Sequence, residues 1–481
     1  MVDLRAPALG IVLAALLVDD GGYFAFAWGW SGALAAAAAA LGLVWVRRVP
    51  TGRLELLFVG GLGAFGLWAL VSASWSQSPP SSVAEAQRAV VPAATALAVL
   101  ILFRRRDGAA LVAAVLGAIT VVSIANLHHR ATSEPSAALG AAAEPVGYDN
   151  ALGLLAAVGV LLALELATRR GAWAIALATL PPNAGVLLLS DSTGAALALG
   201  IGLATAALAA GGRLRPAGAA ALVAAALVGL LSAGGHQRED YWPVALGAAR
   251  DHPLGGAGAG TFWQLWLEER EEPFSARDAH GLYVETLGEL GAVGLLLLLG
   301  ALTAPLAAGR RRPLLVGAYA TFLVHAGIDW DWELAGVATV GVLLGCALLL
   351  EGREGQAEPR HPAAWAAGAA GLFLAACVTL VGALTLDRAR EALREGRPAD
   401  AARAAERATS VQPWASEPWL VLAEARRAAG GNADEAAREG LERDANDWRL
   451  WAALAQASQG AERERALARA RSLNPLGPFD P

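Results

Sequence analysis

The residues best suited to chemistry lie at 235–281, which read GHQREDYWPVALGAARDHPLGGAGAGTFWQLWLEEREEPFSARDAHG. His280 stands at the lip of an apolar run, LYVETLGELGAVGLLLLL. A neutral imidazole there can take a proton from an incoming hydroxyl, or simply hydrogen-bond the end of the helix. Arg238 and Arg250 bracket a short amphipathic segment, and Arg277 lies three residues before His280. A guanidinium grips a diphosphate bidentately and stays charged at any working pH. Asp240, Asp251, Glu268 and Asp278 are near enough in sequence to pair with these arginines instead. A base among fixed cations suits the attack of a hydroxyl on a phosphorylated donor.

Other candidates are weaker. The glycine-rich PLGGAGAGTF (253–262) could turn backbone N–H groups toward phosphate, but no strand precedes it, so it is no nucleotide fingerprint. A tight turn passing close to other helices is the expected reading. Asp329, Asp331 and Glu333, with His325, could ligate a hard cation. Their alternation with Trp330 and Trp332 points instead to an interfacial belt with the acids facing water, and no metal is expected. Asp149 and Asn150 could bind sugar hydroxyls or cap a helix, and Tyr241 and Trp242 could contact a sugar or an acceptor. Cys346 and Cys377 sit inside apolar runs as small core residues.

The elements that position these groups are apolar. The 481 residues are 56% hydrophobic and 17% charged, with a mean hydropathy of +0.46. Soluble domains carry roughly 25% charged residues. The long apolar runs predict an all-α, polytopic membrane bundle of about twelve spans over residues 1–386. The runs are 7–27, 31–46, 54–74, 86–103, 109–127, 149–168, 173–190, 194–211, 216–234, 282–308, 314–350 (long enough for two) and 364–386. The first lacks an A-x-A exit, so it reads as a span and not a cleaved signal.

All 37 basic residues are arginines, and they mark every second loop. Arg47, Arg48 and Arg53 follow the second run, Arg104–Arg106 the fourth, Arg169 and Arg170 the sixth, Arg213 and Arg215 the eighth, Arg310–Arg312 the tenth, and Arg353 and Arg360 the pair at 314–350. The positive-inside rule then makes these loops and the N-terminus cytoplasmic and puts 235–281 outside. The polar clusters at 74–88, 128–150, 190–194 and 325–333 fall on that same outer face, where their convergence suggests a cavity.

From residue 387 the chain becomes charged and Ala-rich. SVQPWASEPWLVLAEA, RDANDWRLWAALAQA and RSLNPLGP recur about 30 residues apart, which resembles two to three tetratricopeptide-type helix pairs. Span parity puts this tail (387–481) outside too, with a surface for a protein partner or substrate.

R-E-D-Y-W-P-V-A-L-G-A-A-R-D-H-P-L-G-G-A-G-A-G-T-F (238–262), followed by H-G-L-Y-V-E-T-L-G-E-L-G-A-V-G-L (280–295), resembles the O-antigen ligase and O-antigen polymerase superfamily. Weaker matches follow the same order: W-S-Q-S-P-P-S-S-V-A-E-A-Q-R (75–88), Y-D-N-A-L-G (148–153), S-D-S-T-G-A-A (190–196) and H-A-G-I-D-W-D (325–331). The resemblance covers nearly all of residues 1–350. It implies a metal-independent, inverting glycosyltransferase of the bacterial cytoplasmic membrane with no cofactor. The donor would be a polyprenyl-diphosphate-linked glycan, and the acceptor a glycolipid, glycan or protein. His280 would be the base and Arg238 a diphosphate ligand. Thr193 stands where the family often has a second arginine, so either Arg250, Arg277 or Arg88 takes that part, or the donor is held differently, or activity is reduced. A ligase is expected first. A polymerase of lipid-linked repeat units comes next, and a transporter of an anion or glycolipid last, because no inverted repeat is evident. No nucleic-acid partner is expected.

Overall fold

The computed structural model describes residues 4–47, 49–50, 52–133, 141–212, 214–221, 238–309, 311–353, 358 and 361–479. Among the described residues there are twenty α-helices and no β-strand. Nine of these helices are long and apolar enough to cross a membrane, and three shorter ones are also apolar, the mark of a membrane protein. The chain forms two compact units that interleave in sequence. The first is Met1–Gly63, Val90–His236 and Leu298–Phe373, and the second is Ala64–Ala89, Gln237–Leu297 and Leu374–Pro481.

The first unit contains α1 (Arg5–Val18), α2 (Ala25–Val46), the start of α3 (Arg53–Ser72), α5 (Val90–Leu102), α6 (Gly108–Thr132), α7 (Asp149–Ala167), α8 (Trp173–Leu189) and α9 (Thr193–Ala210). The end of α12 (Leu282–Ala308), α13 (Pro313–Ala326), α14 (Ala335–Gly352) and the start of α15 (Pro362–Arg394) complete it. The run 314–350 is indeed two helices, separated by a turn at Asp331–Glu333. The run 7–27 is not one span. Asp20, Gly21 and Gly22 take positive φ, ending α1 after 14 residues. A Cβ on Gly22 would lie 2.9 Å from the Gly336 backbone nitrogen, so the turn fits only without one. Of the expected span 216–234, residues 222–234 lie outside the described residues.

Small residues let these helices approach closely, as lipid-embedded packing requires. A Cβ on Gly202 of α9 would lie 2.0 Å from Thr321 Oγ1 and 2.6 Å from the Gly317 carbonyl oxygen of α13. Gly202→Val should therefore cost about 1–3 kcal/mol, read as thermal unfolding in detergent. Gly200, two residues away with nothing within 4 Å, is the control. Equal losses at Gly202→Val and Gly200→Val would show that this contact does not matter.

The arginine-bearing loops meet at one end of this unit. Arg353 is buried, ion-paired with Glu55, and donates to the carbonyls of Leu100 (2.9 Å) and Phe103 (2.8 Å). Arg169 donates to Glu165 (3.0 Å) and Glu351 (3.1 Å), Arg312 lies 3.4 Å from Glu351, and Arg5 donates to Asp107 (3.2 Å). The opposite ends of the same helices carry Tyr23, Arg130, Tyr148 and Asp329.

The second unit contains the end of α3, α4 (Pro79–Arg88), α10 (Arg238–Asp251), α11 (Phe262–Glu269), the start of α12 and the end of α15. The tail adds α16 (Pro398–Val411), α17 (Glu417–Ala428), α18 (Asp434–Arg443), α19 (Trp448–Ala457) and α20 (Gly460–Leu473). Each tail helix packs on the next in sequence, with buried alanines such as Ala405, Ala423 and Ala437 allowing close crossings.

Candidate functional site

His280 occupies a left-handed turn, with φ +55°, just before α12. Histidine adopts this conformation more readily than most side chains, but it still needs support. Glu285, buried one turn into α12, accepts the Ala279 N–H at 2.7 Å. His280 Nδ1 lies 3.0 Å from the Asp278 carbonyl oxygen. A carbonyl only accepts, so Nδ1 carries a proton, and in the neutral ring the basic lone pair is on Nε2. The imidazole packs 5.0 Å from the Tyr241 ring. Tyr241 is itself buried edge-on against Phe262, Trp266 and Phe274. The amphipathic pattern of α10 and the aromatics of α11 thus close a small core behind the imidazole.

The glycine-rich segment is a tight turn, as expected, and not a phosphate cradle. Ala257 and Gly258 donate N–H to the carbonyls of Gly288 (3.0 Å) and Glu289 (2.8 Å). Ala259 donates to Ser72 Oγ (3.1 Å). Gly260 and Phe262 donate to the two carboxylate oxygens of Glu289 at 2.7 and 2.9 Å. With these amides engaged by the chain's own carbonyls, a serine hydroxyl and the Glu289 carboxyl, none of them is left for a phosphate. Gly256, Gly258 and Gly260 have positive φ, and a Cβ on Gly258 would fall 2.2 Å from Ser76 Oγ. The second unit thereby joins the segments 75–88, 238–262 and 280–295.

The arginines fare differently. Arg88 is ion-paired with Glu85 on its own helix. Arg277 is exposed, and both cations face Asp278. Burial pushes the Asp278 carboxyl up to about 6, against Arg88 and Arg277 and reinforced by Glu85. α10 opens at Arg238, whose side chain lies outside the described residues, and Tyr241 follows one turn later. Arg250 is exposed near the other end of α10, about 14 Å along the axis from Tyr241 by helical rise. The helix therefore sets Arg250 well along α10 from the Tyr241 that packs on the imidazole. Trp242 is half-buried, with its indole Nε1 buried and, among the described residues, without a hydrogen-bond partner.

Asp149 and Asn150 belong to the first unit. Asn150 donates to Asp329 Oδ2 (2.8 Å) and to the Tyr148 hydroxyl (2.9 Å), and Tyr148 donates to Asp329 Oδ1 (2.8 Å). Arg130 donates to Asp149 at 3.3 Å. His325 Nδ1 lies 3.0 Å from Asp331 Oδ2. Asp329, Asp331 and Glu333 are buried, so the expectation that these acids face water is wrong. The tryptophan alternation misled because Trp330 packs inward on Tyr23 and Tyr148. Burial raises the Asp331 carboxyl, with His325 opposing. Thr193 is exposed at the first turn of α9, and Ser192 caps that helix by accepting the Ala195 N–H at 3.1 Å. A Cβ on Gly194 would lie 3.3 Å from His325 Nε2, and one on Gly153 2.8 Å from Ser190 Oγ. The segments 148–153, 190–196 and 325–331 therefore also meet.

Sequence reasoning missed Glu285 and Glu289 as supports of the loop. Their signal was two acids four residues apart inside an otherwise apolar run, hence on one helix face. It also missed Asp444, which is buried and accepts from Ser78 Oγ (2.5 Å) and Gln264 Nε2 (3.3 Å). Burial pushes the Asp444 carboxyl up to about 6, with Ser78 opposing and Asp447 adding. The folded protein thus binds this proton more tightly than the unfolded chain, whose carboxyl titrates near 3.9. The contribution, about 2–3 kcal/mol, is complete below about pH 4 and lost as pH rises through about 6. Thermal stability should fall across that window, and less steeply in Asp444→Asn. An unchanged slope in that variant would refute the assignment.

No family model and no curated protein matches this chain.

Proposed function

We propose that the protein is a ligase-like glycosyltransferase that moves a glycan from a polyprenyl diphosphate carrier to an acceptor hydroxyl at the outer face of the membrane. The observation that carries this reading is the fixed tautomer of His280, with Nε2 as its basic nitrogen, in the loop that also holds Arg277 and opens α10 at Arg238. Nε2 takes the acceptor proton as the acceptor oxygen attacks the anomeric carbon. The bond from that carbon to the diphosphate breaks, and its electron pair leaves with the diphosphate, inverting the anomeric centre. Arg238 and Arg277 hold the developing charge. Arg88, already paired with Glu85, supports the turn at Asp278. The N-terminus is cytoplasmic and the loop and tail extracytoplasmic in this reading, because the arginine-rich ends share one side.

The test is transfer by the purified protein from a synthetic polyprenyl-diphosphate-linked glycan, with chelator present. Wild type should give product with inverted linkage, and Arg238→Ala should weaken donor affinity about tenfold or more. No transfer to any glycolipid, glycan or peptide acceptor would sink the reading. Products that grow by whole lipid-linked units would make the enzyme a polymerase. In cells, loss of a ligase should leave completed polymer on the carrier, whereas loss of a polymerase should leave single units.

A further inference from the structure

We infer that the C-terminal repeats serve this site in cis, and that Asp444, between α18 and α19, is a positioning residue for His280. The inference rests on the function proposed above for its kinetic arm alone. α11 has eight residues, too few to hold a helix unaided. It is held at its start by Glu289 and along its length by the tail. Gln264 donates to both oxygens of Asp444, at 3.4 and 3.3 Å. Arg270, at its end, donates to Asn474 at 2.7 Å, and the Arg449 guanidinium lies 5.7 Å over the Trp263 ring. The same turn of the tail grips the segment before α4. Ser78 Oγ donates to Asp444, and Asn446 Nδ2 donates to the Gln77 carbonyl at 2.9 Å. Gln77 in turn donates its N–H to Ala257 of the glycine turn at 3.2 Å.

Asp444, Gln264, Arg270 and Asn474 are all more than nine-tenths buried or at that limit, so this is a built contact and not a chance touch of surfaces. It leads to the imidazole in three steps. Gln264 and Trp266 share α11, the Trp266 ring lies 4.7 Å from Tyr241, and Tyr241 lies 5.0 Å from His280. A shift of α11 therefore moves the wall against which the base is set. Such a chain of packed groups is a physical route for coupling, and it becomes a demonstrated one only when perturbing one end changes the other.

The experiment uses the full-length protein in detergent, with Asp444→Ala, Asp444→Asn and Gln264→Ala. Amide hydrogen exchange across 262–280 should rise at least tenfold in Asp444→Ala and in Gln264→Ala. In the transfer assay kcat should fall tenfold or more, with donor KM within twofold of wild type. Asp444→Asn keeps an oxygen for the Ser78 hydroxyl and should restore both values to within threefold. Glu435→Ala, which removes an exposed ion pair with Arg426, should change neither. Unchanged exchange at 262–280 in Gln264→Ala, or a rise confined to the tail, overturns the inference even if Asp444→Ala fails to fold. If exchange rises but His280 variants transfer normally, the proposed function fails and the mechanical coupling stands.

Discussion

His280→Asn should abolish glycan transfer while leaving the protein folded. Asparagine is among the few residues that tolerate a left-handed backbone, so the turn at φ +55° survives. Its amide can still donate to the Asp278 carbonyl, but it has no basic nitrogen. General-base catalysis contributes about 10²–10⁴-fold, and that is the loss expected in kcat with donor affinity little changed. His280→Ala should lose the same activity and add about 1 kcal/mol of backbone strain. The measurements are single-turnover transfer and thermal unfolding of both variants side by side. Normal transfer by the asparagine variant removes His280 from the chemistry. A large loss of stability in that variant would make the residue a fold determinant.

Glu289→Ala should be the most damaging single change in the loop. Its carboxylate is the acceptor for two N–H groups, those of Gly260 and Phe262. Alanine leaves both without an acceptor where water has poor access, at about 1–3 kcal/mol each. Glu289→Gln keeps one good acceptor and should cost about half as much. The glycine turn should become a protease target in the alanine variant, with cleavage near 253–262 and a lower unfolding temperature. Wild-type protease resistance in Glu289→Ala would mean that the turn is held by its serine and carbonyl contacts alone.

Most of the apolar helices were legible because twenty apolar residues in a row admit few other structures. The division of 314–350 into two helices followed from length. The break in 7–27 was signalled by Asp19 and Asp20, although the paired glycines that make the turn looked unremarkable among the chain's 55. His280 and the glycine turn were legible as motifs. The acids at 329–333 were misplaced because alternation with tryptophan reads alike for a water-facing edge and for an inward-packed one. Glu285, Glu289 and Asp444 escaped notice because their partners are backbone amides and neutral side chains of distant segments. Only the spacing of Glu285 and Glu289 inside an apolar run marked that pair, and nothing comparable marked Asp444.

The interleaving of the second unit bears on biosynthesis. Its loop, 238–281, is made well before the turn that carries Asp444, and translation proceeds at roughly 5–20 residues per second. On the order of ten seconds therefore passes in which the imidazole and its aromatic wall exist without the tail that braces α11. A ribosome stalled after α14 would therefore leave the apolar helices made and α11 without its brace.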